Sequence, residues 1–475
     1  MSKNLSRRDF LRYAGVAAAG AVVASCAPSP APAPEVVEVE VTRIVEGETQ
    51  VEMEVVTVTP DPNAAAPAPS VTIEFWTMNY GDAEIYLKLI RDIAGEFEAE
   101  TGITADVQMV NWSNGMTTWL LVSQGGAHPD VGDMWWLYSF SKLGRGEAGP
   151  MPITEYQDTY WPDLEDRFFA GTLKDVLWEG EFYGIPWRGD IRPQLYRVDM
   201  LEEAGFSAPP DTWEDVTEMA KALTKRDDAG NVTQWGYAIG SSVPLQQFFQ
   251  CLWQAGGEFM TVDGNTATLD TPEMRDTLNW IYDLVWTQEV HPLDLMETGY
   301  DPITMFEGDQ LAVIGSVSDS AGQDLERDFP ELDGKWAMAI PTMGPANRSS
   351  YSGAGYWGVL RGTEKVDQAV EWISWLSKDE NMMALAELLV RVSPNKNVMA
   401  SPMWSDREWK KVIVETLEYA HTSQHPSTAW SKLVANNPGA VIYDLFYESI
   451  VEKQPIDDVL ARAQQRAQEE MDKSG

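Results

Sequence analysis

The chain has 475 residues, of which 44% are hydrophobic and 11% aromatic, so it contains enough apolar material for more than one folded core. Its 34 Lys and Arg residues stand against 74 Asp and Glu residues, and the formal net charge is −40. Nucleic-acid binding needs clustered Lys and Arg to neutralise phosphates, so this composition excludes a nucleic-acid-binding protein.

Residues 1–25 have the composition of a targeting segment. Four basic side chains precede an apolar run at 13–24, which is too short and too weakly hydrophobic to span a bilayer. The stretch "SRRDFL" resembles a twin-arginine export signal, and "VASC" resembles a bacterial lipobox. These resemblances imply cleavage before Cys26, attachment of a lipid to it, and a protein held at the extracytoplasmic face of the cell membrane. The alternative is an ordinary signal peptide that happens to carry a cysteine.

Residues 26–70 form a low-complexity tether between the anchor and the globular part. Pro/Ala-rich sequence flanks a middle portion in which Val alternates with Glu. Alternation with a period of two is typical of a β-strand, so the middle portion could pair as a strand or associate with itself. We favour a flexible spacer, because the segment contains no aromatic residue that could contribute to a core.

From Val71 onward the pattern is that of an α/β protein. Strands are predicted at 71–77, 103–110 and 129–136, alternating with helices at 82–102 and 112–126. This alternation predicts a parallel sheet with crossover helices. In the first helix the apolar residues Ile85, Leu89, Ile93 and Phe97 recur every four positions. Cys251 lies in an apolar helical pattern, and we expect it to be a buried structural residue rather than a nucleophile.

Five stretches, in this order, resemble the bacterial extracellular solute-binding proteins of ABC importers, in the sugar-binding family typified by maltose-binding protein. They are "IEFWTMNYGD", "GGAHPDVGDMWW", "FYGIPWRGDIRPQLYRVDMLEEAG" with "PPDTWEDV", "MFEGDQLAVIGSV", and "SGAGYWGV" with "DQAVEWISWLS". The resemblance covers residues 71–475. It implies an α/β, type II periplasmic-binding-protein-like fold, in which two discontinuous lobes are joined by crossover strands around a ligand cleft. Lobe 1 would comprise 71–190 and 341–392, and lobe 2 would comprise 191–340 and 393–475.

The same resemblance implies a monomeric, lipid-anchored receptor that binds a carbohydrate and delivers it to the permease subunits of an ABC importer. The ligand would be an oligosaccharide, a sugar or a polyol, and no cofactor, metal or enzymatic activity is implied. A charged solute such as a uronate or a glycerophosphodiester stays open. A different class is a secreted glycoside hydrolase, for which Asp133 and Asp190 are the only catalytic pair that we nominate.

Candidate ligand-binding residues are aromatic and polar side chains near strand ends, because α/β sheets bind ligands beyond the carboxyl ends of their strands. Aromatic faces stack on the C–H surfaces of a sugar, and planar polar groups bind pairs of hydroxyls. The candidates are Trp76, Asn79, Tyr80, Asn111, Trp112, Asp133, Trp135, Trp136, Arg188, Asp190, Arg192, Ser316, Ser318, Gly353, Gly355, Tyr356 and Trp430.

Several of these candidates carry an open alternative, which for Ser316, Ser318, Gly353 and Gly355 is a tight turn. The charged residues of 188–192 would fit a solvated hinge equally well, although by resemblance Arg192 matches a family position near the ligand. Family members commonly carry Gly-Pro-Trp where this chain has Gly-Ser-Val at 315–317. The resemblance therefore implies that a stacking Trp is missing there and is supplied by Trp430 or Trp357.

The histidines His421 and His425 have the i,i+4 spacing of a pair of metal ligands on a helix. No carboxylate-rich partner motif accompanies them, and a proline follows His425 directly. We interpret them as part of a polar helix end.

Overall fold

A computed structural model describes residues 35–45, 48–58, 71–123, 125–135, 149–178, 180–240, 244–292, 301–422, 425, 427, 429–435 and 437–474. The chain divides into two compact units, Met1–Pro69 and Ser70–Gly475, and each is described by itself. Within the described ranges, no helix is both long enough and apolar enough to cross a membrane.

The elements are numbered in chain order. The strands are β1 (Glu35–Val45), β2 (Glu48–Val58), β3 (Thr72–Met78), β4 (Thr104–Val110), β5 (Val131–Met134), β6 (Leu177–Trp178), β7 (Glu181–Phe182), β8 (Ile185–Arg188), β9 (Gln194–Arg197), β10 (Lys225–Arg226), β11 (Val232–Gln234), β12 (Val313–Ile314), β13 (Trp336–Ala339), β14 (Ser350–Ser352), β15 (Gly355–Val359) and β16 (Ala420–Thr422). The α-helices are α1 (Ala83–Thr101), α2 (Trp112–Ser123), α3 (Gln157–Tyr160), α4 (Leu164–Arg167), α5 (Ala170–Lys174), α6 (Val198–Glu203), α7 (Trp213–Leu223), α8 (Pro244–Gln254), α9 (Pro272–Tyr282), α10 (Pro302–Glu307), α11 (Ala321–Asp328), α12 (Val366–Leu376), α13 (Asp379–Leu389), α14 (Lys396–Met399), α15 (Glu408–Thr416), α16 (Trp430–Leu433), α17 (Val441–Phe446) and α18 (Ile456–Ser474).

The first unit contains a β-hairpin. β1 and β2 pair antiparallel along their whole length, from Glu35 opposite Val58 to Val45 opposite Glu48. This differs from the flexible spacer that we favoured and agrees with the alternative of strand pairing. Two alternating runs separated by two residues satisfy each other's backbone hydrogen bonds, so the hairpin needs no aromatic core. The targeting segment, including Cys26, lies outside the described residues.

A five-stranded sheet forms one part of the second unit, with the strand order β4-β3-β5-β15-β8. β3 pairs parallel with β4 and β5, which confirms the predicted parallel arrangement. β15 then pairs antiparallel with both β5 and β8. The helix α1 connects β3 to β4, begins at the N-cap Asp82 and ends at Gly102, which has a φ of 73°. Such a left-handed end favours glycine.

A three-stranded sheet has the order β12-β9-β13, with both outer strands antiparallel to β9. The chain passes from the five-stranded sheet to this one between β8 and β9, and it returns between β13 and β15. The two passages are in direct contact, because Arg192 N donates to Ser350 Oγ (2.9 Å) and Gly353 N donates to Asp190 O (3.0 Å).

A third segment joins these two passages. It follows α13, and Gly189 N donates a 2.6 Å hydrogen bond to the carbonyl oxygen of Val392. We call residues 189–193, 349–354 and 390–395 the junction. The strand ends of the five-stranded sheet and the junction together position the candidate site.

Candidate ligand-binding site

A cavity of about 540 Å³ lies where β3, β5 and β8 end and the junction begins. Its volume is in the range of pockets that hold small molecules. The residues that line it are Asn79, Tyr80, Gly81, Trp112, Trp135, Arg188, Asp190, Arg192, Gln246, Tyr351, Gly353 and Arg391.

One side of the cavity is an aromatic wall made of Tyr80, Trp112 and Trp135. The Trp112 ring centre is 5.0 Å from that of Trp135 and 5.6 Å from that of Tyr80. Trp112 Nε1 donates to the carbonyl oxygen of Asn79 at 2.6 Å, which fixes the orientation of its ring. Because Trp112 nevertheless stays 43% exposed, it presents a fixed apolar surface to a ligand.

Asp133 supports this wall from behind. Its carboxylate is fully buried and accepts hydrogen bonds from Met78 N (3.1 Å), Tyr80 Oη (3.0 Å) and Trp187 Nε1 (2.9 Å). Burial raises the pKa of Asp133 above its ordinary value, while the charge of Arg188 and these donors act in the opposite direction. Asp133 therefore holds the Tyr80 hydroxyl in place without reaching the cavity itself.

Arg188 lies at the end of β8, between the aromatic wall and the junction. Its Nε donates to the Tyr80 hydroxyl at 2.9 Å, and its guanidinium carbon lies 4.9 Å from the Tyr80 ring centre and 5.6 Å from that of Trp112. Nη1 is 3.5 Å from the carbonyl oxygen of Gly353, which is long for a hydrogen bond. The guanidinium is thus positioned mainly by aromatic faces and one hydroxyl.

The lining of the cavity also includes ion pairs of the junction. Arg192 Nη2 donates to Asp190 Oδ2 at 2.8 Å and to Gln246 Oε1 at 3.0 Å. Arg391 forms an ion pair with Asp319, which is fully buried outside the cavity lining. Polar groups held in this way can bind hydroxyl pairs or a carboxylate without rearrangement.

The structure brings many of the sequence candidates together at this cavity. Those that line it are Asn79, Tyr80, Trp112, Trp135, Arg188, Asp190, Arg192 and Gly353. Asp133 lies directly behind them.

Other candidates near the five-stranded sheet do not line the cavity. Trp76 is half-buried, and its Nε1 donates to the Glu74 carboxylate at 2.7 Å, because it projects from within β3 rather than from the end of the strand. Asn111 is exposed, and its carbonyl oxygen accepts a hydrogen bond from Asn114 N in the first turn of α2. Trp136 lies outside the described residues.

The two serine candidates are placed behind the junction. Ser316 is buried, and its Oγ is 3.4 Å from Gln250 Oε1. Ser318 Oγ accepts a 2.8 Å hydrogen bond from Arg391 Nη1. Ser318 therefore supports a cavity residue, whereas neither serine lines the cavity.

The last candidates lie inside the protein. Gly355 is directly beneath Arg188, so that a Cβ atom there would lie 2.7 Å from Arg188 Nε. Tyr356 and Trp430 are fully buried, and Trp357 is buried in a stack with Trp187 at 5.2 Å between ring centres. Neither tryptophan lines the cavity, so neither supplies the stacking residue that the resemblance implies is missing at 315–317.

Four lining residues were not predicted from the sequence: Gly81, Gln246, Tyr351 and Arg391. Gly81 and Tyr351 lie within stretches already quoted for the resemblance or beside them, so extending the candidates by one or two positions would have included them. Gln246 lies in α8, and Arg391 follows the end of α13. No local sequence signal distinguishes these two from other polar residues at helix ends.

The histidines belong to a different environment from the one we expected. His421 lies in the strand β16, opposite Tyr351 of β14, and its Nε2 is 2.9 Å from a Glu258 carboxylate oxygen. The interpretation as a polar helix end is therefore wrong, since pairing with β14 keeps this segment extended. Burial lowers the pKa of His425 to about 4. Among the residues described, no cluster of His, Cys, Asp and Glu suits a metal ion.

Comparison with known proteins identifies the class. Residues 83–383 match the family described as bacterial extracellular solute-binding protein. The match covers more than half of the chain, and the chain therefore belongs to this family. Residues 4–24 match the signal sequence of the twin-arginine translocation pathway, in agreement with the predicted export signal.

Particular relatives include two sugar-binding proteins. An arabinooligosaccharide-binding protein of Halalkalibacterium halodurans is 27% identical over 178 residues, which are 37% of this chain and 37% of that protein. A lactose-binding protein of Rhizobium radiobacter is 25% identical over 204 residues, which are 41% of this chain and 45% of that protein. The chain thus spans less than half the length of these curated relatives.

Solved structures show the fold. The sugar-binding protein MalE of Xanthomonas citri superimposes with a TM-score of 0.71 at 20% identity, covering 85% of this chain and 98% of that one. An ABC substrate-binding protein of Listeria monocytogenes in complex with cycloalternan gives a TM-score of 0.71 at 18% identity, covering 85% and 99%. The protein therefore has the type II periplasmic-binding-protein-like α/β fold that the resemblance implied.

Proposed function

We propose that the protein is the extracytoplasmic receptor of an ABC importer, which binds a carbohydrate in the cavity and passes it unchanged to the permease. The observation that carries this proposal is that the aromatic wall and the fixed polar groups of the junction line the same cavity. A saccharide offers C–H faces for Tyr80, Trp112 and Trp135, and hydroxyl pairs for Asp190 and Arg192. The sugar-binding relatives support the same ligand class.

We also propose the domain organisation predicted from the sequence, with lobe 1 at 71–190 and 341–392 and lobe 2 at 191–340 and 393–475. In support, the strands of the five-stranded sheet all fall in the first set of ranges, and those of the three-stranded sheet fall in the second. The junction would then be the hinge about which the lobes close on the ligand.

The membrane attachment and the absence of catalysis are part of the proposal as well. Cleavage before Cys26 and lipidation of its thiol would hold a monomeric receptor near its permease. For a glycoside hydrolase, two carboxylates would have to flank the bound sugar. Of the nominated pair, Asp190 lines the cavity, whereas Asp133 is buried behind Tyr80. This arrangement supports a binding protein rather than an enzyme.

Thermal unfolding of the purified full-length chain with a panel of mono-, di- and oligosaccharides and polyols tests the ligand class. A ligand at 100 times its Kd should stabilise the folded state by about 2.7 kcal/mol, which gives a clear rise in Tm. The ligand should be recovered chemically intact. If no carbohydrate raises Tm, the ligand class is wrong, and if the sugar is cleaved, the protein is an enzyme.

Two tryptophan variants locate the site. Trp112→Ala should weaken binding about 10- to 100-fold, because a central aromatic contact of an interface is lost. Trp76→Ala is the control, since it removes a half-buried tryptophan of β3 that does not line the cavity. Equal losses of affinity in both variants would show that the ligand binds elsewhere.

A further inference from the structure

The lining of the cavity carries more cationic than anionic side chains, although the protein as a whole is acidic. The chain has a formal net charge of −40. Among the described residues that line the cavity, however, the ionic side chains are three arginines and a single aspartate: Arg188, Arg192, Arg391 and Asp190. Asp133 and Asp319 lie directly behind this lining. Recognition of an anion therefore depends on which guanidinium turns its hydrogen-bonding edge to the cavity, and not on the net charge of the site.

Two of these arginines already have a carboxylate partner. Arg192 pairs with Asp190 at 2.8 Å, and Arg391 pairs with the buried Asp319. Arg188 differs from both, because no carboxylate of the described residues lies within the 4.0 Å ion-pair distance of its nitrogens. The charges of Asp133 and Asp190 act on Arg188 through space, and the Tyr80 hydroxyl links Arg188 Nε to Asp133.

Burial makes this difference significant. Arg188 is only 7% exposed, and its guanidinium stays protonated in proteins. A buried cation is costly unless it is paired and hydrogen-bonded. The rings of Tyr80 and Trp112 stabilise the cation through their faces, and the Tyr80 hydroxyl accepts from Nε. Within the part of the chain that the structure describes, the terminal nitrogens, which form the fork that binds a carboxylate, have only the 3.5 Å contact with Gly353.

The surroundings are shaped for this side chain. Gly355 leaves the space beneath Arg188 open, since any side chain there would begin 2.7 Å from Nε. The aromatic faces and the Tyr80 hydroxyl fix the guanidinium at the cavity lining. A fixed guanidinium fork matches the planar geometry of a carboxylate better than that of a neutral hydroxyl.

We propose that Arg188 binds the anionic group of the ligand, and that the ligand is an acidic saccharide whose carboxylate accepts hydrogen bonds from the terminal nitrogens of Arg188. The sugar ring then packs against the aromatic wall, and its hydroxyls meet the ion pairs of the junction. This inference rests on the proposed function, because it names the class of saccharide that occupies the same cavity.

Calorimetric titration of the full-length chain tests the inference. The probes are di- and trisaccharides of galacturonate and glucuronate, each compared with its methyl ester and with the neutral parent sugar. The free acid should bind about 10- to 100-fold more tightly than its ester, which is the usual effect of a hydrogen bond to a charged group. Equal affinities for acid and ester would overturn the inference without requiring any variant.

Variants of Arg188 assign the effect to this residue. Arg188→Met should remove the preference for the acid, while Arg188→Lys should keep part of it, because the charge remains but the fork is lost. Arg226→Met is the control: it removes the same charge from an exposed pair with Glu289 and should leave the preference unchanged. A preference that survives in Arg188→Met would overturn the assignment.

The outcomes separate the two proposals. If neutral sugars bind at least as tightly as the acids, the protein is a carbohydrate receptor and the inference about the acidic ligand fails. If neither neutral nor acidic saccharides bind, the proposed function and the inference fail together.

Discussion

Replacement of Asp133 by Asn probes the support behind the aromatic wall. In the wild type, one carboxylate oxygen accepts from Met78 N and the Tyr80 hydroxyl, and the other accepts from Trp187 Nε1. Asn offers a single acceptor oxygen and an NH₂ group. Its least costly orientation keeps the oxygen toward Met78 and Tyr80, and it therefore places two donors, the new NH₂ and the Trp187 N–H, against each other.

The magnitude follows from these contacts. A hydrogen bond to a charged group contributes about 1.5–3 kcal/mol, and a buried donor left without an acceptor costs about 1–3 kcal/mol. The neutral side chain avoids the burial of a charge, which offsets part of this sum. We expect Asp133→Asn to lower the free energy of unfolding by about 3 kcal/mol, a large share of the stability of a typical folded protein.

Urea unfolding followed by tryptophan fluorescence measures this loss. The midpoint should fall while the slope of the transition stays the same, since the change affects the folded state. Asp106→Asn, an exposed aspartate on the neighbouring strand β4, is the matched control and should be neutral. A change of less than about 0.5 kcal/mol in Asp133→Asn would show that the buried carboxylate does not organise the wall.

Three further predictions concern buried groups. Burial raises the pKa of Asp175 to about 7, so its contribution to stability is complete below about pH 4 and is lost as the pH rises to about 7. The loss amounts to at most about 4 kcal/mol of the free energy of unfolding, and urea titrations across that pH range should show that Asp175→Asn removes it. Burial raises the pKa of Cys251 to about 12, so in a Cys26→Ser background a thiol reagent should react at pH 8 only after unfolding. Gly355→Ala should displace Arg188 and weaken ligand binding, as measured by calorimetry.

Each of these three predictions has an outcome that would contradict it. An unchanged pH dependence in Asp175→Asn would mean that other groups cause it. Rapid labelling of native Cys251 would mean that its helix opens easily. For the glycine, the control is Gly95→Ala in α1, where an added Cβ meets nothing within 4 Å and the substitution should stabilise the helix by about 0.5–1 kcal/mol. Wild-type affinity in Gly355→Ala would show that ligand binding does not depend on the absence of a side chain beneath Arg188.

The helix α1 shows how far periodicity reaches. The sequence predicts its position well, but the spacing of four selects Ile85 and Leu89 as core residues. The structure instead buries Tyr86 and Ile90 and leaves Ile85 54% exposed. A helix has 3.6 residues per turn, so residues spaced strictly by four drift around its axis. In α1, two neighbouring stripes of the helix surface are both apolar. Only the position of the sheet decides between the two stripes.

The site was predictable where it depends on parallel strands. Tyr80 and Trp135 follow β3 and β5, whose carboxyl ends meet at one edge of the sheet, and both line the cavity. Prediction failed where side-chain direction depends on strand register, so that Gly353 reaches the cavity while Tyr356, three residues later, is buried in the sheet. It also missed Arg391, because its placement depends on how the third junction segment folds back onto Gly189.

The junction has a consequence for how this protein could acquire a new ligand. The ionic groups of the cavity lie in the junction or directly before it, whereas the aromatic wall belongs to the five-stranded sheet and its connections. Exchanging residues of the wall alters the size and shape of the ligand that the cavity accepts and leaves the backbone passages intact. Exchanging Asp190, Arg192 or Arg391 alters the acceptable charge and, in the same step, the side-chain contacts that join the junction to Gln246 of α8 and to Asp319. Ligand size and ligand charge are therefore unequal targets for evolution. At these three residues a change of charge also removes contacts of the junction, whereas a change at Arg188 leaves the Asp190–Arg192 and Asp319–Arg391 pairs in place.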